Sequence, residues 1–260
     1  MKNKRALVCG SSKGIGAATA IELSKLGTSI ILLARDENSL TEVMNELDKS
    51  HNQKHDYIIA DFDEPESLKK KILSSDYIKS EYPIHILINN SGGPKPGALL
   101  NADSEDILSA FNRHLLCNHI LVQLLVPGMK KEKYGRIINI TSTSVKEPIK
   151  GLGISNTIRG AVANWAKTLS FELGEYGITV NNILPGFTDT QRLKEVFLNK
   201  AKLSNEDIES VIMDAYSKIP IGRFADPVET AKAICFLASK DASYINGINL
   251  PVDGGRLSTL

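Results

Sequence analysis

The chain has 260 residues, 42% of them hydrophobic and 23% charged, which suits one full core with no linker-like composition to divide it. A formal net charge of +1 without long runs of like charge argues against a nucleic-acid partner, and no stretch is apolar for long enough to span a bilayer. The three cysteines, Cys9, Cys117 and Cys235, lie far apart without Cys-x-x-Cys spacing, and the start MKNKRALVCG has too short an apolar run for a signal peptide; reduced core thiols, no metal site and a cytoplasmic setting are expected.

Residues 6–8 read as a short buried strand, and residues 17–26 carry small and apolar side chains at helical spacing, with Gly27 placed to end that helix in a left-handed conformation. Between them stands CGSSKGIG, residues 9–16. A strand, a glycine-rich turn and a helix aim backbone N–H groups and the positive helix end at one point, where a pyrophosphate can sit. Gly10 permits the tight turn, Gly14 the close approach and Gly16 the packing of helix on strand, with Ser12, Lys13 and Ile15 in the same loop.

Residues 29–34, SIILLA, are continuously apolar, as expected of a strand covered on both faces, and Arg35 and Asp36 follow at its carboxyl end. A helix over 40–47, a strand over 57–60, a helix over 66–78 begun by Pro65 and a strand over 84–88 come next. Asn89-Asn90-Ser91-Gly92-Gly93 then enters a loop, and Ser104 is read as the cap of a long helix. Further strands are read at 136–140, 178–184 and 248–252, with helices over 154–173 and 228–238. The more polar stretch 187–219 has helical patches and is read as a substrate-covering flap. This alternation predicts an α/β doubly wound parallel sheet, Rossmann-like, in a single domain.

The loop spacing is G-x-x-x-G-x-G, and it is joined by Asp61 after the third strand, NNSG at 89–92, GRIINITS at 135–142, NNILPG at 181–186 and VDGG at 252–255. In these motifs and their order the chain resembles the short-chain dehydrogenase/reductase family over nearly its whole length, and it looks similar to the 3-oxoacyl-carrier-protein reductase and glucose dehydrogenase branches. The resemblance implies that Asp61, with Phe62 beside it, meets the adenine, that Asn89 lies beside the adenine ribose, and that Pro185, Gly186 and Thr188 meet the nicotinamide amide. An acidic residue after the second strand would repel a 2′-phosphate, whereas Arg35 there and Lys13 in the glycine loop favour it. NADP(H) is therefore the expected cofactor, and Asp36, if turned inward, would admit NAD(H).

The family's acid is a tyrosine with a lysine four residues later, supported by a serine and an asparagine. Ser142 matches the serine, but the tyrosine and lysine positions fall on Ser155 and Arg159, and the asparagine position on His114. The four-residue interval keeps Ser155 and Arg159 on one helical face while the chemistry changes. Arginine stays protonated, so Arg159 can hold a ribose and lend charge without shuttling protons, and its presence suggests an anionic substrate. His114 is either part of a proton relay or a packed histidine. Tyr134, Tyr176 and Tyr216 are placed away from this loop, and Lys146, Glu147 and Lys150 lie within it.

Two functions follow from this reading: an NADP(H)-dependent oxidoreductase of a small carbonyl or alcohol with an altered catalytic site, or an NADP(H)-binding sensor or assembly protein with little turnover. The family's dimers and tetramers imply a homo-oligomer, a tetramer above all. Leu115, Leu116, Ile120, Leu121, Leu124 and Leu125 in one long helix, with Trp165, Leu169 and Phe171 in the next, are read as apolar surplus for that interface.

Overall fold

Seven short strands form one sheet because each is apolar on both faces and is covered by helices on both. They are β1 (Arg5–Cys9), β2 (Ser29–Ala34), β3 (Asp56–Ile59), β4 (Ile86–Asn89), β5 (Gly135–Ile140), β6 (Ile178–Pro185) and β7 (Asn249–Val252) in a computed structural model that describes residues 1–79 and 82–259. All neighbours pair in parallel in the order β3-β2-β1-β4-β5-β6-β7. The order reverses between β1 and β4, and a crevice opens at the carboxyl ends of the strands there.

The helices in chain order are α1 (Gly14–Lys25), α2 (Glu37–Glu46), α3 (Pro65–Ser74), α4 (Asp76–Lys79), α5 (Ser104–Phe111), α6 (Cys117–Glu132), α7 (Gly153–Leu173), α8 (Gln191–Ser204), α9 (Ile208–Ser217) and α10 (Pro227–Ala238). Strand alternation sorts the core into two layers. Leu7, Leu33, Leu87 and Ile137 pack against Leu68, Leu121 and Leu169 of α3, α6 and α7. Val8, Leu32, Ile88 and Ile138 pack against Leu23, Leu40 and Ile234 of α1, α2 and α10. The three cysteines are free and buried, and among the described residues no helix is long and apolar enough to cross a membrane.

Some expected elements differ. The helix expected over 66–78 is broken at Ser75, whose extended backbone (φ −67°, ψ 127°) separates α3 from α4. Ser104 is the first residue of α5 rather than its cap; Asp103 holds the cap position. The long helix continues through a π-helical turn, Asn112–Leu116, and this wider turn carries His114 into the interior. The stretch 187–219 folds into α8 and α9 around an apolar cluster of its own, with Phe197 and Val211 at its centre. Four residues read as interface surplus, Ile120, Leu121, Leu125 and Leu169, are buried core, because α6 and α7 lie directly under the sheet. Phe171 stays 77% exposed.

A polar ladder crosses this apolar sheet. Asn89, Asn139, Asn182 and Asn249 stand in register on β4, β5, β6 and β7. Nδ2 of Asn89 donates to Oδ1 of Asn139 at 2.8 Å, Asn139 to Asn182 at 2.9 Å, and Asn182 to Asn249 at 2.8 Å. In Asn139→Ala a buried donor and a buried acceptor lose their partner, and unfolding by denaturant should show a loss of roughly 2–4 kcal/mol. Asn249→Ala, at the less buried end, should lose roughly 1 kcal/mol or less.

Candidate active site

A cleft of about 650 Å³ opens at the carboxyl ends of β1, β4, β5 and β6. Its floor begins at the glycine loop. Gly10 has φ +56°, and a Cβ there would lie 2.7 Å from Nδ2 of Asn90. A Cβ on Gly16 would lie 2.1 Å from the Gly10 carbonyl oxygen, so α1 can meet β1 this closely only through glycine. Nδ2 of Asn90 donates to that same carbonyl at 3.2 Å, tying the end of β4 to the loop. Gly14, at φ +60°, faces Thr190 across the mouth of the cleft, and a Cβ there would meet its methyl group at 3.3 Å.

Of the residues singled out from the sequence, Gly10, Ser12, Lys13, Gly14, Ile15, Arg35, Asp61, Phe62, Ser142, Ser155, Arg159, Pro185, Gly186 and Thr188 all line the cleft. Gly16 lies behind it in the packing contact just described. Asn89 belongs to the sheet ladder, and its neighbour Asn90 forms the cleft wall instead, because the strand pleat turns adjacent side chains to opposite sides.

At one end of the cleft Arg35 reaches Asp61 at 3.5 Å and Asp63 at 3.9 Å, while Lys13 donates to Gln191 at 3.4 Å. Both cations are exposed, so these contacts hold them loosely. Asp36 also lines the cleft, and its carboxylate caps α2 by accepting from the Ser39 N–H at 3.2 Å. That hydrogen bond holds its pKa below the usual range.

At the other end Ser142 follows β5, and its Oγ accepts from the Ser144 N–H at 3.1 Å, which leaves the hydroxyl proton available to donate. Arg159 is one helical turn beyond Ser155; its Nη1 donates to the Ile140 carbonyl at 2.6 Å, and its Nε is buried without a partner. Burial pushes the Arg159 pKa down to about 10, so the guanidinium remains charged at neutral pH. His114 is 3% exposed behind the cleft. Its Nδ1 lies 2.8 Å from Oγ of Ser91, which lines the cleft, and its Nε2 is buried without a partner. Burial, reinforced by Arg159 and Arg113, holds its pKa well below the ordinary value, so the imidazole is neutral near pH 7.

Among the described residues no tyrosine lines the cleft. Tyr134 donates to the Ala238 carbonyl at 3.0 Å, and Tyr216 stacks on Phe224 at 4.3 Å. No cluster of three or more metal-ligating side chains occurs among the described residues. Sequence reading named Ser91 only within its motif and missed three arginines, Arg113, Arg192 and Arg256, which the π-helical turn, α8 and the segment after β7 bring to the wall. Their distance along the chain from the glycine loop left no local pattern to find them by.

Comparison with known proteins agrees with this geometry. The family described as enoyl-(acyl carrier protein) reductase matches residues 10–256. The chain is 29% identical over 261 aligned positions, covering 100% of both chains, to the NADPH-dependent reductase BacG of Bacillus subtilis. It is 32% identical over 257 positions, covering 99% of this chain and 98% of the relative, to the 3-oxoacyl-[acyl-carrier-protein] reductase FabG of Rickettsia prowazekii. Among solved structures, that of L-sorbose reductase from Gluconobacter frateurii complexed with NADPH and L-sorbose superposes with a TM-score of 0.91 at 30% identity, covering 100% of this chain and 98% of that one.

Two buried histidines make stability depend on pH. His85 accepts from the Arg5 N–H through Nδ1 at 3.2 Å, and burial, with Lys4 and Arg5 nearby, lowers its pKa to about 4. Both His85 and His114 bind protons less readily folded than unfolded. Stability should therefore be full above about pH 6.5 and fall on acidification towards the folded values, by up to roughly 1.4 kcal/mol per histidine per pH unit. Denaturant unfolding at pH 7.5, 6 and 5 would measure the slope, which His85→Gln should flatten.

Proposed function

The chain belongs to the short-chain dehydrogenase/reductase family, and from that premise we propose that it is an NADP(H)-dependent oxidoreductase of a small carbonyl or alcohol substrate. The observation that carries this reading is the glycine-loop cleft with two loosely held cations at one end and Ser142 beside Arg159 at the other. A dinucleotide fits the residues present. Gly14 presents bare backbone to the cleft, and the buried, unpartnered Nε of Arg159 and Nε2 of His114 await polar partners.

The loop around Gly10 and Gly14 would hold the pyrophosphate, Lys13 and Arg35 the 2′-phosphate, Asp61 and Phe62 the adenine, Asn89 and Asn90 the neighbourhood of its ribose, and Pro185, Gly186 and Thr188 the nicotinamide amide. The cofactor supplies or accepts hydride when bound. Ser142 donates its hydroxyl proton to the substrate oxygen in a hydrogen bond. Arg159, fixed by the Ile140 carbonyl, polarises the site and favours an anionic substrate, while Ser155 leaves room where an aromatic acid would stand. Water delivers the proton that balances hydride addition, and His114, neutral because burial and Arg159 suppress the imidazolium, positions Ser91 through its Nδ1 contact as part of that relay. The α8–α9 stretch acts as the flap over the substrate. Buried reduced thiols suit a cytoplasmic setting.

A second reading, an NADP(H)-binding sensor or assembly protein with little turnover, is favoured by the lack of a tyrosine in the cleft among the described residues. Bound NADPH without hydride transfer across a panel of carbonyls would support it over the first.

Titration of the purified protein with NADPH and NADH should show NADPH binding more tightly. Lys13→Ala with Arg35→Ala should weaken NADPH roughly ten- to a hundredfold and leave NADH little changed, since two solvent-screened charge contacts together are worth about 1.4–2.8 kcal/mol. Exposed Phe171, Leu108 and Phe111 support a homo-oligomer, tetramer or dimer, through the faces of α5 and α7. Light scattering at micromolar concentration should give a tetramer mass, and a monomer would refute that assembly.

A further inference from the structure

Two arginines of the cleft have no part in the chemistry above. Arg192 is half-exposed and divides its guanidinium between the Pro94 carbonyl at 3.2 Å and Glu195 at 3.5 Å. Arg256 is held differently. Its backbone belongs to a short segment after β7 that is tied down on both sides. Asp253 accepts from the N–H groups of Gly255 and Leu257 at 3.0 and 2.9 Å, and Oε1 of Glu147 accepts from Ser258 N, Ser258 Oγ and Thr259 N at 3.0, 2.7 and 3.2 Å.

The guanidinium is oriented as well. It lies over the Phe187 ring, 4.8 Å from the centroid, and Nη1 donates to Oγ1 of Thr143 at 3.1 Å. Thr143 is 2% exposed, so this anchor is fixed in the core. Among the described residues no carboxylate lies within 4 Å of Arg256. Glu147 feels its charge only from beyond that distance, with Oε1 already taken by three donors. A planar fork fixed by a ring and a hydroxyl is prepared for a planar anion, because little side-chain freedom remains to be lost on binding.

The place of that fork in the cleft identifies the ligand. Thr143 is the immediate neighbour of Ser142, so a fixed cation stands one residue from the hydroxyl assigned to the substrate carbonyl. We propose that Arg256 binds a carboxylate of the substrate, which is a short oxo acid carrying its carboxylate within a few bonds of the reacting carbonyl. This rests on the reading of Ser142 as the group that orients that carbonyl. Arg159 then supplies charge at the reacting centre, and Arg256 selects the substrate.

The test is calorimetry on the full chain, with 2-oxohexanoate and 2-oxohexanamide as an anionic and a neutral probe of the same shape, in the presence and absence of NADP⁺. The wild type should bind the acid roughly ten- to a hundredfold more tightly than the amide, as expected of a charge-assisted pair. Arg256→Gln should remove most of the acid's advantage over the amide, leaving only what Arg159 contributes, with NADPH affinity unchanged. Thr143→Val, which frees the guanidinium without removing it, should weaken the acid severalfold and leave the amide unaffected. A wild type that does not prefer the acid, or an Arg256→Gln protein that keeps the preference undiminished, overturns the proposal. Failure of the folded wild type to bind NADPH overturns the oxidoreductase reading instead, and acid preference in nucleotide-free protein still reports on Arg256 by itself.

Discussion

The carbonyl oxygen of Gly10 is the point at which three elements meet. It ends β1, it lies where a Cβ on Gly16 of α1 would stand at 2.1 Å, and it accepts from Asn90 at the end of β4. Because β1 and β4 are the strands between which the sheet order reverses, this contact sets the depth and direction of the cleft. A methyl group at Gly16 would push α1 off the strand and carry Gly14 and Ile15 away with it. The phosphate-sized space at the start of α1 therefore depends on close packing of backbone on backbone.

The asparagine ladder places a line of amide groups through an otherwise apolar sheet. Each amide donates to the next, leaving only Oδ1 of Asn89 at the β4 end buried without a partner, so the register of β4 to β7 is coupled to their hydrogen bonding. Ser142 follows β5 directly, and Gly186 follows β6; both inherit their positions from that register. Rigidity in the sheet is what allows hydroxyl and guanidinium groups at its rim to act at fixed separations.

Electrostatics distinguish the two ends of the cleft. Arg35 and Lys13 are solvated cations with loose partners, suited to an exposed phosphate. Arg159 and Arg256 are held by neutral groups, a carbonyl in one case and a hydroxyl with a ring in the other, with no acidic partner within 4 Å among the described residues. Burial, with the charges of Arg159 and Arg113, keeps His114 neutral. Serine and arginine, Ser155 and Arg159, line the cleft where the resemblance to the family leads one to expect a tyrosine and a lysine.

Alternating apolar runs and helical segments were enough to specify a parallel sheet covered on both faces, because burial on both sides leaves little room for polar residues within a strand. The glycine loop was legible for a similar reason: a positive φ and a 2.1 Å approach admit no other residue. Most of the motif residues singled out from the sequence do line the cleft. Other features depend on relations between distant parts of the chain. Which of Asn89 and Asn90 faces the cleft is decided by pleat register, and the inward turn of His114 by a π-helical step. Whether Leu121 and Leu169 serve core or interface is decided by the position of α6 and α7 beneath the sheet. Arg256 reaches Thr143 across 113 positions of sequence, and only the docking of the segment after β7 against Glu147 brings them together. Local pattern determined the elements and the glycine loop; tertiary packing decided which charges face the cleft, because that depends on contacts no local pattern encodes.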